Sequence, residues 1–273
     1  MSSFDLANPE HAYMFGFIQA DGHLSEDSRN RGRLRVELSA RDLALLLEFQ
    51  RICPWPSSVT SRTRATNFAD AHASVSWSVH AREFRTALKE LGLPAGRKST
   101  TVAPPVAPFA PRDYLRGLID ADGSVGLTGT GKPFVALTTA SDALMRFFRD
   151  YAQDLTGARR TLNRNARDAV YNVLYSNEEA VTLARDLYYP GCLALPRKQA
   201  AALGVTAWLR PPGSRKVLRK VWTAEEDSAL LAAARPEEAA ALLDRSVSSC
   251  SMRRWRLLGP EKARVRFPRT PAT

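Results

Sequence analysis

The feature that most constrains this chain of 273 residues is an internal duplication. The stretches YMFGFIQADGHL at 13–24 and YLRGLIDADGSV at 114–125 place an aromatic residue, a glycine, an apolar pair and Ala-Asp-Gly at the same offsets. The register continues downstream, because Lys98 follows Asp21 by 77 residues and Lys198 follows Asp122 by 76. A repeat that keeps its register over this length predicts two copies of one structural unit.

The pattern within each copy predicts a helix, two strands, a helix, two strands and a final helix. The strand evidence is alternation with a period of two: Arg33, Arg35 and Glu37 alternate with Leu34 and Val36, and the stretch ASVSWSVH at 73–80 alternates serine with apolar residues. Such sheets cover a core with one face and leave a polar face for solvent or a ligand. We therefore predict an α+β protein, a duplicated αββαββα fold with pseudo-twofold symmetry.

Small residues predict how the two copies meet. Each motif carries a pair four positions apart: Gly16 with Ala20, and Gly117 with Ala121. Residues at this spacing share one helix face, and small side chains there let another helix approach closely. If the two motif helices pack against each other, Asp21 and Asp122 meet at their C-terminal ends.

Two carboxylates that meet at helix C-termini require compensation, because each also faces the negative end of a helix dipole. Divalent Mg²⁺ is the simplest compensation, since it prefers hard oxygen ligands. Ions held between such carboxylates can activate water and stabilise the leaving oxygen of a phosphodiester. The alternative is an ordinary Asp-Gly helix stop with a solvated carboxylate, which does not explain two copies in register.

The residues GLIDADG at 117–123, paired with the motif at 13–24, resemble the LAGLIDADG homing endonucleases in their single-chain, two-motif form. The resemblance covers roughly residues 8–205. It implies a saddle of two antiparallel sheets over double-stranded DNA, with the motif helices as the interface. It further implies two or three Mg²⁺ ions, replaceable by Mn²⁺, held by Asp21, Asp122 and the backbone carbonyls of Ala20 and Ala121. By the same resemblance, Lys98 and Lys198 are catalytic residues near the scissile phosphate, and Gln19 departs from the motif's usual acid.

The net charge of +11 indicates a polyanionic partner and agrees with this resemblance. We predict a Mg²⁺-dependent endonuclease that acts as a monomer and makes a double-strand break in a long, asymmetric DNA site. In a bacterium or phage it would be cytoplasmic and associated with the nucleoid, and elsewhere organellar or nuclear. The residues expected on DNA in the two repeats are Arg31, Arg33, Arg35, Arg62, Arg64, Ser74, Ser76, Ser78, Arg160 and Arg164.

The duplication and the segments that flank it divide the chain into five parts. They are the first repeat at 1–105, the second at 106–205, a linker at 206–220, a three-helix segment at 221–258 and a basic, disordered tail at 259–273. From Thr206 onward, 14 Lys and Arg face 7 Asp and Glu, so the surplus is larger there than in the rest of the chain.

The segment 221–258 resembles a Myb/SANT-type helix-turn-helix through WTAEEDSALL and RSVSSCSMRRWRLL. Thr223 and Glu226 have the spacing of a capping box. In a helix-turn-helix the last helix lies in the major groove, and the contacts expected there are Ser248, Ser249, Arg253 and Arg256. The alternative is a small three-helix adaptor that binds protein.

Other functions fit parts of the pattern. A maturase would use the same fold to bind intron RNA, and the sequence leaves this alternative open. A non-catalytic DNA-binding regulator is disfavoured because both motif acids are present, and an intein because no His-Asn pair precedes Cys, Ser or Thr. Three widely spaced cysteines indicate neither a disulfide framework nor a zinc site, and without an 18-residue apolar stretch we expect no membrane partner.

Overall fold

The computed structural model describes residues 4–25, 32–66, 69–213 and 222–262, with the backbone alone at 64–66, 69–72 and 260–262. The chain forms two compact units, Met1–Pro212 and Gly213–Thr273. The first unit contains both repeats, and its helices and antiparallel sheets confirm the predicted α+β class. Throughout these ranges, each helix is too short or too polar to cross a membrane.

The first repeat follows the predicted order of elements. It consists of α1 (Pro9–Asp21), β1 (His23–Leu24), β2 (Leu34–Ser39), α2 (Leu43–Ile52), β3 (Ser57–Thr66), β4 (Ala69–Val79) and α3 (Arg82–Glu90). A short 3₁₀ turn precedes α2, and the strands pair antiparallel in the order β1-β2-β4-β3. Leu34, Val36 and Trp77 are buried on the inner face, as their alternation predicts, whereas Arg35 and Glu37 alternate with them on the outer face.

The second repeat lacks one predicted strand. It consists of α4 (Pro111–Asp122), β5 (Gly123–Leu127), β6 (Pro133–Thr139), α5 (Asp142–Thr156), β7 (Tyr171–Ser176), α6 (Glu178–Leu187) and α7 (Pro196–Thr206). Its sheet has the order β5-β6-β7, and residues 157–170 form no strand where the first repeat has β3. This stretch is polar and lacks apolar alternation, and its Arg160 and Arg164 bind Glu179 and Asp142 through their side chains.

The two motif helices, α1 and α4, lie at the centre of this unit. Residues 12–19 of α1 and 113–120 of α4 are all buried. A helix that is covered all round needs no polar face, which explains why both motifs are so apolar. One continuous hydrophobic core joins them to the inner faces of both sheets.

The second unit is built from three short helices. They are α8 (Ala224–Ala232), α9 (Pro236–Leu243) and α10 (Val247–Lys262), the last interrupted at Gly259, where φ is 79°. The predicted capping box is present: Glu226 N donates to Thr223 Oγ1 at 3.2 Å, and Thr223 N donates to Glu226 Oε2 at 3.0 Å. Its small core holds Leu230, two alanines and Cys250, packed against Trp222.

Candidate active site

The motif helices touch through their glycines. A Cβ atom added at Gly16 would lie 2.2 Å from the backbone oxygen of Tyr114, and one at Gly117 would lie 2.1 Å from that of Tyr13. Neither clash could be relieved by rotating a side chain, because both involve backbone atoms. Glycine at these two positions therefore permits the close helix contact on which the site depends.

Two hydrogen bonds cross between the repeats in symmetry-related positions. Tyr13 Oη donates to Asp120 Oδ2 at 2.7 Å, and Tyr114 Oη donates to Gln19 Oε1. Gln19 can therefore replace the acid of the second motif, because its amide oxygen also accepts a hydrogen bond from the opposite tyrosine. Asp120 is more heavily engaged, since it also accepts from Tyr188 Oη at 2.7 Å and from a backbone N–H.

Asp21 and Asp122 are the last residues of α1 and α4. Both are open to solvent on one side, yet surrounding protein desolvates them enough to raise the pKa of each carboxyl. The charge of Asp21 raises the pKa of Asp122 further, whereas Lys98 and Lys198 oppose both shifts. The two acids and the two lysines therefore lie close enough to influence one another's protonation.

The two lysines close the C-terminal ends of the motif helices. Lys98 Nζ donates to the carbonyl oxygens of Ile18, Gln19 and Ala20 at 3.0, 2.6 and 2.8 Å. Lys198 Nζ donates to those of Ile119, Asp120 and Gly123 at 2.7, 2.6 and 2.8 Å. Each ammonium thus directs its three N–H groups to carbonyls at a helix end, where the helix itself supplies no donors. Burial lowers the pKa of both lysines to about 8.

Arg197, which no sequence pattern singled out, adds positive charge near Asp21. Arg197 Nε lies 3.3 Å from both carboxylate oxygens of the buried Asp42, which belongs to the first repeat. The charge of Arg197 also counteracts the raised pKa of Asp21. The corresponding Arg97 is exposed, and Asp142 is instead bound by Arg164, so the two sides of the site differ.

A cavity of about 380 Å³ adjoins Asp122. Its lining combines side chains of both repeats, among them Gln19, Lys98 and Ser99 from the first and Asp122 and Thr138 from the second. The site is therefore composite, and neither repeat could form it alone.

The donor set of this site fits a hard divalent cation. Asp21 and Asp122 supply charged oxygen ligands, and their mutual repulsion and desolvation would be relieved by a cation between them. Within the ranges that the structure describes, no three His, Cys, Asp or Glu residues form a metal-binding group. An ion here would accordingly be shared by two carboxylates, with remaining positions open to backbone oxygen, water or substrate.

The residues predicted to contact DNA on the first sheet form a hydrogen-bonded layer. Arg35 donates to Ser76 Oγ from Nε at 3.2 Å and from Nη2 at 2.7 Å, and lies 3.0 Å from Glu37. Ser74 donates to Glu37 at 2.8 Å. Ser74 and Ser76 are buried, so they position charged side chains and do not themselves form an open surface. Arg33 and Arg62 are exposed and Ser78 is half-buried, whereas Arg31 and the side chain of Arg64 lie outside the described residues.

Several of the other residues predicted to contact DNA bind acidic side chains of the protein itself. Arg160 lies 3.0 Å from Glu179 and over the ring of Tyr175, and Arg164 lies 3.2 Å from Asp142. In the second unit, Arg253 donates to Asp227 at 2.7 Å and is half-buried, which makes it a structural residue of α10. Ser248 and Arg256 are exposed there, and Ser249 is half-buried in the first turn of α10.

Comparison with known proteins agrees with this architecture. Residues 110–187 match the sequence profile of the LAGLIDADG-like domain. The fold is similar to that of the homing endonuclease I-WcaI bound to its DNA recognition sequence, at 10% identity and a TM-score of 0.50, over 74% of this chain and 88% of that one. Variants of the homing endonuclease I-DmoI match at 17% identity and a TM-score of 0.47, over 72% of this chain and 98% of theirs. Residues 110–187 therefore match a LAGLIDADG-like domain, and the α+β fold of the first unit is similar to the fold of the homing endonuclease I-WcaI.

One curated relative is also similar in sequence. The tRNA-splicing ligase RtcB of Methanopyrus kandleri is 29% identical over 224 residues, which are 73% of this chain and 22% of that protein. This chain thus spans about a fifth of the length of that relative.

Proposed function

We propose that this protein is a site-specific DNA endonuclease that uses a divalent metal ion, Mg²⁺ in the cell, to hydrolyse one phosphodiester in each strand. The proposal rests on the pairing of Asp21 and Asp122 at the C-terminal ends of two helices. These helices pack closely where Gly16 and Gly117 lie. A purely structural role would not require two partly desolvated carboxylates to lie close to each other.

The chemistry of the site follows from its residues. A divalent ion bound by Asp21 and Asp122 would activate water and offset the charge of the leaving oxygen. Lys98 and Lys198 hold the helix ends through the carbonyls they bind, and so fix where the two carboxylates point. Their positive charges also counter the two acids and the negative ends of both helix dipoles. The lysines therefore act in this proposal as positioning residues.

Double-stranded DNA is the proposed substrate because the first sheet presents cationic and hydrogen-bonding side chains on its outer face. Arg62 is exposed on β3, and Arg35 is fixed on β2 by Ser76 and Glu37. The repeats differ in sequence, so we expect an asymmetric site read by one monomer. The DNA-bound state of the similar I-WcaI supports this choice of partner.

The three-helix unit is proposed as a second DNA-binding module. Its exposed Ser248 and Arg256 lie on α10, the helix that a helix-turn-helix places in the major groove. Between residues 222 and 258 there are five arginines and six acids, so the positive surplus of this region lies in the flanking linker and tail. We therefore assign phosphate attraction to those flanks and sequence contacts to α10.

The direct test is incubation of the full chain with a plasmid library of random inserts and Mg²⁺, followed by sequencing of the new ends. The proposal predicts paired ends at one recurrent site and their loss when EDTA removes the metal. Binding without cleavage in Mg²⁺ and in Mn²⁺ would indicate a DNA-binding regulator. Selective binding of structured RNA over DNA would indicate a maturase.

A further inference from the structure

The outer faces of the two sheets differ in chemistry. The strands of the first sheet contain charged residues, including Arg35 and Glu37 on β2 and Arg62 on β3. The second sheet, whose three strands are fully described, contains none: its sequences are GSVGL, PFVALTT and YNVLYS. Two faces built from one duplicated unit have therefore become chemically distinct.

The face of the first sheet suits guanine and cytosine. Arg35 is held in place by Ser76 and by Glu37, and Arg62 is exposed near them on β3, where it pairs with Ser74 in register. Arginine is the commonest partner of guanine O6 and N7 in the major groove, and glutamate accepts from the amino group of cytosine.

The face of the second sheet suits adenine and thymine. Leu174 is 48% exposed and is paired in register with Ala136, while Asn172 is exposed and paired with Thr138. Thr138 Oγ1 donates to Asn172 Oδ1 at 3.0 Å, which fixes the amide and leaves its N–H groups and one oxygen lone pair available. Asparagine pairs with adenine N6 and N7, and apolar side chains contact the methyl group of thymine.

A basic segment directly precedes this neutral face. Residues 157–170 contain four arginines and one acid, and they lead into β7, which carries Asn172 and Leu174. Phosphate contacts attract DNA and position it without reading its sequence, whereas contacts to base edges specify it. Arg160 and Arg164 of this segment bind Glu179 and Asp142, so phosphate contacts would come mainly from its exposed Arg159 and Arg167. The uncharged strands are suited to contacts with base edges.

We propose that the two halves of the DNA target differ in composition, with an A·T-rich half contacted by the second sheet and a half containing essential G·C pairs contacted by the first. The inference rests on the proposed function and adds to it the class of sequence that each repeat recognises. It assigns specificity to Asn172 and Leu174 in one half and to Arg35 and Arg62 in the other.

The test is a binding selection of the full wild-type chain from a library of randomised duplexes, with Ca²⁺ replacing Mg²⁺. It is repeated with the matched variants Asn172→Ala, Leu174→Ala, Arg35→Ala and Arg62→Ala. We expect Asn172→Ala to relax preference roughly tenfold or more at an A·T position of one half only, and Leu174→Ala to relax it by a smaller factor at a thymine of the same half. The two arginine variants should relax G·C preference in the other half. Thermal unfolding checks that each variant keeps its fold.

The outcomes separate this inference from the function on which it rests. Failure to enrich any sequence would overturn both. An enriched site that responds to Asn172→Ala or Leu174→Ala at G·C pairs, or not at all, would overturn the inference and leave the endonuclease intact. A fall in oligomeric mass caused by Leu174→Ala would show that a second copy covers this face, which also contradicts the inference.

Discussion

Tyr13 on the first motif helix donates a 2.7 Å hydrogen bond to Asp120 on the second. Tyr114 on the second helix donates the corresponding hydrogen bond to Gln19 on the first. The two bonds are symmetry-related, but one acceptor is a buried carboxylate and the other a neutral amide. Burial raises the pKa of Asp120, but all three groups bound to it are donors, which favours the ionised carboxylate.

Because the two acceptors differ, removing the tyrosine hydroxyl should lower the free energy of unfolding by different amounts on the two sides. Tyr13→Phe should lower the free energy of unfolding by about 1.5–3 kcal/mol, because it removes a hydrogen bond to a charge. Tyr114→Phe should cost about 0.5–1.5 kcal/mol, since its acceptor is neutral. Urea unfolding of both variants at pH 7 provides the comparison, and equal costs would mean that Asp120 is protonated.

The close helix contact predicts that Gly→Ala destabilises the protein at the contact and stabilises it at an open helical position. Gly117→Ala and Gly16→Ala should each destabilise the protein by about 1–3 kcal/mol or more, because the added Cβ meets backbone oxygen. Gly204 on α7 has open space around the corresponding position, so Gly204→Ala should stabilise by about 0.5–1 kcal/mol. Thermal and urea unfolding measure the change in stability of each variant. A Gly117→Ala variant as stable as wild type would refute the close helix packing.

The buried lysines predict a rise of stability with pH. Burial lowers the pKa of Lys198 to about 8 in the folded protein, from 10.5. Between these values the unfolded chain binds more protons, so the free energy of unfolding increases as pH rises, by at most about 1.4 kcal/mol per unit for one lysine. Lys198→Met should reduce this slope in EDTA buffer between pH 8 and 10, and Lys132→Met, at an exposed lysine, should not. An unchanged slope in Lys198→Met would contradict the burial of that ammonium.

The sequence predicted the helix pairing and the meeting of Asp21 with Asp122 because both follow from register and local sterics. It did not predict that Lys98 and Lys198 bind helix carbonyls, since their partners lie 75–80 residues away. The aromatic residue that opens both motifs was a visible signal for the bonds of Tyr13 and Tyr114, but their acceptors required the folded geometry.

Two other differences have local causes. The strand predicted between α5 and β7 does not form because arginine side chains bind neighbouring acids and the stretch has no apolar face to bury. Ser74 and Ser76 alternate as an exposed face would, yet they are buried because Glu37 and Arg35 bind them. Period-two alternation identifies a face of a strand and does not reveal what covers it.

The charge distribution predicts where salt dependence originates. Replacing Arg215, Lys216, Arg219 and Lys220 by Gln should reduce the slope of log binding constant against log salt by about 0.9 for each phosphate that the protein no longer neutralises. Arg256→Gln should change the slope by at most about that of one phosphate while altering base preference. Filter-binding titrations at several salt concentrations measure both effects. An unchanged slope in the fourfold variant would assign the attraction to the repeats and favour a protein-binding role for the three-helix unit.

The proposed function requires Asp21 and Asp122 to form one divalent-metal site for DNA hydrolysis. Its most direct test compares wild type, Asp21→Asn, Asp122→Asn and the exposed control Asp154→Asn on the selected site in Mg²⁺, with products resolved on native and denaturing gels. We expect double-strand cleavage by wild type and Asp154→Asn, and loss of cleavage in both motif variants while DNA binding survives. Full cleavage by either motif variant would contradict it.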